Sequence, residues 1–386
     1  METKTLGIVA TYINGKAFKP AEWEMTGLPI IRIQNLTDSK AKYNYSSAQH
    51  DERFRVQNGD LLFAWSASLG AHIWRGGDAW LNQHIFRVVP NEGIDKVYLY
   101  YYLCSVVAEL YSKTHGSGMV HITKGPFMAT QIPVPTLDEQ KCIVSRIEEL
   151  FSKLDNGVET LRKTKQQLAV YRQAVISAAF PEMTEENTVR LDEIADISGG
   201  ITKGRDLSKQ ETIHLPYLRV ANVQNGYLDL SQMKTIELKT SEMEKYFLCA
   251  GDVLYTEGGD RDKLGRGTVW NDEIPNCVHQ NHIFKARLDQ TKANPRYVAY
   301  WSMSAFARNY FYNKGKQSVN LASINKTVLS ALTLPLPRLT EQETVLREIE
   351  SRLSVCDEIE KTVDTALQQA EAMRQSILKQ AFEGKI

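Results

Sequence analysis

Three groups of residues have types and spacings that chemistry could use. Gly199-Gly200-Ile201-Thr202-Lys203-Gly204-Arg205-Asp206 has the glycines of a phosphate cradle. It lacks the Lys-[Ser/Thr] pair that reaches phosphate and magnesium. Asp229 with Glu237-Leu238-Lys239 has the outline of a nuclease metal triad, but in a chain that is 24% charged such a spacing arises by chance. Cys277, His279 and His282 have zinc-ligand chemistry. On a strand, however, Cys277 and His279 share one face and His282 points to the other, and the first half of the chain carries Ala79, Leu81 and His84 at the corresponding places. No Gly-x-Gly-x-x-Gly follows a strand pattern, so nucleotide or adenosyl-methionine binding has no seat. No catalytic residue, metal site or cofactor is assigned.

Recognition chemistry is present instead. Reading DNA needs donors and acceptors beside aromatic rings, with cations for the phosphates. The first half offers Lys16 in the Asn14-to-Phe18 turn, Ser66, and Ser117, His121 and Lys124 in a glycine-rich loop. The second half offers Lys203 and Arg205, then Arg261, Lys263 and Arg266 in the segment 257–267, and Lys316, Gln317 and Asn320. That 257–267 segment holds about six residues more than its counterpart. These charges also suit solvated turns that pair among themselves. Gln83, His84, Gln280, Asn281 and His282 suit either a DNA edge or polar groups that bond a sheet. Trp65 and Trp80 suit a core better than a stacking surface.

The elements that must position these residues occur twice. Leu28-Pro29-Ile30-Ile31-Arg32-Ile33-Gln34-Asn35 recurs as Leu215-Pro216-Tyr217-Leu218-Arg219-Val220-Ala221-Asn222. Gly59-Asp60 returns as Gly251-Asp252, His84-Ile85-Phe86 as His282-Ile283-Phe284, and Tyr98 and Tyr102 as Tyr297 and Trp301. From Ile132 to Phe180 there is no gap against Leu334 to Phe382, and 16 of the 49 positions are identical. The chain is therefore a tandem duplication. Each repeat opens with β-type runs such as Asp60 to Ser66 and Gly251 to Thr256, followed by one aromatic helix (Tyr98 to Tyr111, Tyr297 to Tyr312). A Pro-x-Pro element then closes the globular part.

A long helix follows in each repeat. Ile147, Leu154, Leu161, Leu168 and Val175 recur every seven residues, as do Ile349, Cys356, Val363, Ala370 and Ile377. That is a coiled-coil seam, with Leu150, Val158, Ile359 and Met373 widening the stripe. About 45 residues per helix span about 65 Å at 1.5 Å per residue, longer than a domain face, so the helices are expected to pack on each other. The expected divisions are a first recognition domain (1–136), a first spacer helix (137–182), a second recognition domain (187–337) and a second spacer helix (338–384). The fold class is α+β.

Composition agrees. The chain has 386 residues, with 46 basic and 46 acidic side chains. No global field draws it to DNA or to a membrane, and any nucleic-acid site must be local. The globular parts are slightly basic, with 13 basic and 11 acidic residues in 1–136 and 19 and 16 in 187–337. Five scattered cysteines suit reduced thiols. With no signal-like N-terminus and no membrane-length apolar run, a cytoplasmic protein is expected. The residues by themselves leave open a DNA-modifying or DNA-cleaving enzyme and a tandem adaptor that binds only proteins.

Two repeats of a globular domain plus a long helix resemble the DNA specificity subunit of type I restriction-modification systems. The phrases that carry the resemblance are Gly27 to Asn35, Gly59 to Ser66, Asn82-Gln83-His84-Ile85-Phe86, Ile132-Pro133-Val134-Pro135 with Glu139-Gln140, and Leu334-Pro335-Leu336-Pro337 with Glu341-Gln342. The resemblance covers essentially the whole chain. It implies two target recognition domains in inverted, pseudo-twofold orientation, joined by helices in an antiparallel coiled coil. Each domain reads one half of an asymmetric, interrupted site in double-stranded DNA. It also implies two DNA adenine methyltransferase (modification) subunits docked on the chain, with restriction/translocase subunits added. Adenosyl-methionine, ATP and Mg²⁺ belong to those partners, and this chain has no catalytic site of its own. If the helices space the readers, their length sets the unspecified gap in the DNA.

Overall fold

Each half forms two small sheets, and the strand after the repeated Gly-Asp turn lies in one of them with one face packed toward the other. A computed structural model describes residues 2–38, 40–112, 122–317 and 321–386. Gly59 and Gly251 take positive φ angles of 88° and 91°, a conformation that costs glycine little. The aspartates that follow accept backbone N–H bonds, Asp60 from Gln57 and Asp252 from Cys249. The chain then enters the strands Leu61–Ala64 and Val253–Thr256, every residue of which is buried. These strands are apolar throughout because both faces are covered. Leu61 and Phe63 pack toward the aromatic helix, while Leu62 and Ala64 pack with Ile31, Val56 and Leu81. Val253 and Tyr255 divide from Leu254 in the same way.

The chain divides into two compact units, residues 1–161 with 365–386, and residues 162–364. In the first, an antiparallel sheet runs Ala10–Asn14, Ile85–Pro90, Leu61–Ala64, Gly70–Ile73. A second sheet runs Asn44–Ser46, Leu28–Ile31, Ala79–Leu81, Arg55–Val56, with the middle pair parallel. The other unit repeats this with Ala195–Gly199, Ile283–Leu288, Val253–Thr256, Gly267–Val269, and with Lys234–Lys239, Thr212–Leu218, Val278–His279. It adds a small sheet of Gly258–Gly259, Ala322–Ser323 and Lys316–Gln317.

The aromatic helix differs between the halves. In the first it is continuous, Lys96–Ser112. The single helix expected over 297–312 is instead two, Pro295–Met303 and Ala305–Lys314. Ser304 breaks it by taking an extended conformation (ψ 160°), and its Oγ accepts from Ala307 N at 3.3 Å as an N-cap. The Pro-x-Pro elements form two-stranded ribbons, Thr3–Thr5 with Gln131–Pro133 and Thr188–Arg190 with Thr333–Pro335. Every strand of such a ribbon is an edge, which is where proline is tolerated.

One buried glutamine ties each globular part to its long helix. Gln140 Oε1 accepts from Asp95 N at 2.8 Å, and its Nε2 donates to Gly93 O and Pro135 O, both at 2.9 Å. Gln342 does the same with Asn294 N (2.8 Å), Lys292 O (2.9 Å) and Pro337 O (2.8 Å). Beside them Glu139 and Glu341 cap the helix starts, accepting from Thr136 N and Arg338 N at 2.9 Å. Tyr98 and Tyr297 hydroxyls donate to Pro133 O and Pro335 O, again at 2.9 Å.

The long helices are Leu137–Ala179 and Leu339–Phe382. They pack antiparallel within each unit. In the first, Ile147 packs with Leu378 and Ala381, and Arg374 pairs with Asp155. In the second, Lys165 pairs with Asp364 at 2.7 Å and Arg172 with Asp357 at 2.6 Å. Each step up one helix is matched by an equal step down the other. The compact units therefore cut both helices in the middle rather than at their ends. Ile147, Leu168, Val175, Ile349, Cys356, Val363 and Ala370 are buried, and Leu154, Leu161 and Ile377 are half-buried. Ile359 and Met373 do not widen the stripe: they are 40% and 54% exposed, because the facing helix covers a narrow seam. Each helix ends on an aromatic plug from its own unit. Phe180 lies 5.0 Å from the Tyr297 ring and Phe382 lies 5.2 Å from Tyr98. Among the described residues no helix is long and apolar enough to cross a membrane.

Replacing Gln342 by Leu leaves three buried backbone groups without partners. We expect a loss of roughly 3 kcal/mol or more in denaturant unfolding, and Gln140→Leu should behave alike. A change under about 0.5 kcal/mol, the range of an ordinary surface substitution, would refute this role.

Candidate nucleic-acid interface

The candidate loops converge on one turn in each unit. Asn82-Gln83-His84 follows the Ala79–Leu81 strand, and Gln280-Asn281-His282 follows Val278–His279. Backbone hydrogen bonds gather the neighbours around them. Lys16 N donates to Leu81 O at 2.8 Å, and Ile201 N to His279 O at 2.8 Å. Asn82 N reaches Ile31 O at 3.1 Å, and Gln280 N reaches Leu218 O at 3.0 Å. On the other side Trp65 N donates to His84 O (3.2 Å) and Glu257 N to His282 O (2.9 Å). Ile122 N then reaches Trp65 O (3.1 Å), and Ile324 N reaches Glu257 O (2.9 Å). Gly15 and Gly200 sit where the loops press closest. A side-chain carbon at Gly15 would lie 2.2 Å from Asn82 O, and at Gly200 2.0 Å from His279 O. One edge of each unit thus collects the opening loop, the arginine turn, the polar turn and the loop after the central strand.

Side chains on this common backbone differ between the halves. In the first, Lys16 pairs with Glu22 and lies 4.4 Å from the Phe18 ring centroid. The bond to Lys16 holds the Glu22 carboxyl below its usual range. Lys124 is exposed at the start of the short helix Lys124–Met128. Ser66 is a correction. It is buried at 2% exposure and its carbonyl accepts from Ser68 N at 2.7 Å, so its hydroxyl is not presented to a ligand. Ser117, His121 and Asn320 lie outside the described residues.

In the second half, Lys203 lies over Tyr217 at 5.0 Å. Arg205 bonds Glu242 at 2.7 Å through Nη1 and leaves Nε and Nη2 buried without partners. The longer 257–267 loop joins the small extra sheet, Gly258–Gly259 pairing with Ala322–Ser323, which pair in turn with Lys316–Gln317. Arg261 donates to Tyr312 O at 3.0 Å and lies over that ring, and Lys263 pairs with Asp260. Among the described residues the Arg266 guanidinium bonds the neutral Gln224, at 3.2 Å, and no carboxylate. Arg308 lies within electrostatic reach of it, with Nη1 donating to Leu264 O at 3.0 Å. Burial, then the Arg266 charge, pushes the Arg308 guanidinium below its ordinary pKa. Asp260 and Asp262 partly offset the two cations, and neither carboxylate bonds either guanidinium among the described residues. Nothing in the sequence marks Arg308, which sits inside an aromatic helical run.

The remaining chemistry-bearing groups are held separately. Cys277 and His279 are in the core, where burial pushes the thiol up to about 12 and the imidazole down to about 4. His282 is at the edge, its Nδ1 2.6 Å from Glu257. Asp229 accepts from Ser231 N at 3.0 Å, whereas Glu237 accepts from Thr212 at 2.7 Å. Asp252 and Arg287 form a two-bond pair at 2.8 Å.

The family model described as the type I restriction modification DNA specificity domain matches residues 1–169 and again residues 183–369. The chain belongs to this family. It is 26% identical over 415 residues to a type I restriction enzyme EcoBI specificity subunit from Escherichia coli, covering 98% of this chain and 84% of that one. It is 28% identical over 415 residues to a StySPI specificity subunit from Salmonella potsdam, covering 100% and 89%. A solved structure from work on assembly and conformational transition of the type I R-M system aligns at TM-score 0.69 and 17% identity, over 100% of this chain and 98% of that one. That likeness concerns the fold. Both family matches contain the converging loops just described, so the family's domain is the unit that carries them.

Arg266→Ala should weaken duplex DNA binding by roughly 1–3 kcal/mol, measured with the assembled complex. Lys263→Ala should cost less, since Asp260 already engages that ammonium. Equal losses would show that the ion pair does not matter.

Proposed function

We propose that this chain is the sequence-reading subunit of a type I restriction-modification complex. Its two globular parts read the two halves of an asymmetric, interrupted site in double-stranded DNA. The observation that carries this is the double family match over two edges with one backbone plan and different side chains. A reader of two different words needs that combination, whereas a symmetric site would call for matching edges. Base edges discriminate through placed donors and acceptors, while cations at the rim anchor phosphates.

The chain binds and positions rather than reacts. Two modification subunits supply adenosyl-methionine and methylate adenine, and restriction subunits supply ATP- and Mg²⁺-dependent translocation and cleavage. The long helices are the scaffold for these partners, and the assembly works in the cytoplasm. Support comes from the family and from the separation of the chain's acid, thiol and imidazole groups into unrelated structural contacts.

Exchanging residues 187–337 for the matching segment of another family member should change one half-site and leave the other intact, read by mapping methylated adenines. Each altered base pair should shift affinity by roughly 1–3 kcal/mol. If both half-sites changed together, the two-reader assignment would be wrong. The purified chain, given adenosyl-methionine, ATP and Mg²⁺, should neither methylate nor cut DNA. Turnover by a preparation free of partner subunits would contradict the division of labour.

A further inference from the structure

Phe18, Trp23, Arg32, Gln34, Gln83 and His84 line a cleft of about 250 Å³ at the loop edge of the first unit. The Arg32 guanidinium lies over the Trp23 indole, 5.1 Å from the ring centroid. Beneath it the backbone is fixed, Arg32 N donating to Asn35 Oδ1 at 3.0 Å. Asn35 in turn donates to Ala41 O and Lys42 O. Nearby carboxylates are engaged elsewhere, Glu22 with Lys16 and Glu24 with Ser47. Among the described residues the Arg32 side chain makes no ion pair and no hydrogen bond. Gln83 Nε2 lies 3.2 Å from His84 Nε2, which holds the carboxamide, and His84 Nδ1 is buried without a partner.

The second unit has the same backbone with one nitrogen of its fork occupied. Arg219 N donates to Asn222 Oδ1 at 3.0 Å, but Arg219 Nη2 donates to Gln232 O at 2.6 Å. His282, in the place of His84, is bonded to Glu257. Over one backbone plan, then, the two arginines have different freedom. A difference in side-chain freedom over a shared backbone is one way for two half-sites to be told apart.

We propose that Arg32 reads a guanine in the half-site of the first domain, with Trp23 as its positioning residue. This deepens the function proposed above and rests on it. A guanidinium supported over an indole and bonded to nothing else has its fork of parallel N–H donors available to a ligand. That geometry matches O6 and N7 of guanine in the major groove. A phosphate can also be gripped by such a fork, but here the fork opens into a cleft shared with the carboxamide of Gln83 and the imidazole of His84, groups suited to a base edge.

The test uses the assembled complex, with selection from a duplex library randomised over both half-sites and a salt titration. Wild type should select guanine at one position of the first half-site. Arg32→Ala should lower discrimination there about ten- to hundredfold, leaving other positions and the second half-site unchanged. Arg32→Lys should not restore it, and Trp23→Ala should weaken preference at that same position. Unfolding transitions matching wild type show that the variants fold; Arg32→Lys, which keeps the charge, serves if Arg32→Ala does not. Uniform loss over all sequences, with a salt dependence smaller by about one phosphate, would make Arg32 a backbone contact and overturn the proposal. An unchanged guanine preference would overturn it too. Should wild type itself select no bipartite site, the underlying reading fails first and this inference with it.

Discussion

A buried glutamine side chain at the start of each long helix is the constraint on which the rest depends. Gln140 and Gln342 are fully buried and bond three backbone groups from two separate segments. One segment leads into the aromatic helix and the other leaves the Pro-x-Pro ribbon. A carboxamide that presents one acceptor and two donors can close all three bonds, and an apolar residue of similar size can close none. In the low dielectric of the interior, leaving those groups open is expensive. The orientation of each long helix against its sheet is set there, within a few residues. Once that orientation is set, the tyrosine bonds to Pro133 and Pro335 and the phenylalanine plugs Phe180 and Phe382 have their positions.

The two halves show how a shared backbone carries different surfaces. Asp60 and Asp252 make the same turn bond, yet Asp252 also pairs with Arg287 through two hydrogen bonds. The matching Arg87 instead donates to Arg53 O. Main-chain bonds between turns carry the architecture, so side chains at the rim can diverge without unfolding it. The extra sheet of the second half is such a divergence, built where the longer loop meets Ala322–Ser323 and Lys316–Gln317.

Along the helices, apolar burial outweighs charge. Most seam residues lie below a tenth exposed, while the flanking pairs, such as Arg172 with Asp357 and Glu360, are half in solvent. Exposed pairs contribute at most about 1 kcal/mol each. Their use is register: opposite charges at matched heights favour one antiparallel alignment over its neighbours.

Much of this was legible in the residues. The duplication, the strands after Gly59 and Gly251, the paired helices and the heptad seam all follow from periodicity and repetition, which are local properties of the chain. The Glu-Gln pairs were visible as repeats, but their purpose was not, because their partners lie 47 and 50 residues away. The kink at Ser304 escaped for a similar reason, since the matching Ser105 stays inside a helix. Ser66 looked available and is buried; Arg308 carried no sequence signal, and its guanidinium reaches Leu264 O from a separate helix. Arg32 and Arg219 are identical in sequence and differ only in what surrounds the guanidinium. Sequence by itself determined the repeated plan and the long helices, because spacing along a chain dictates which face is apolar. Tertiary structure alone decided which cations are free to meet a ligand, because a charge's partners come from segments that only folding brings within a few ångströms.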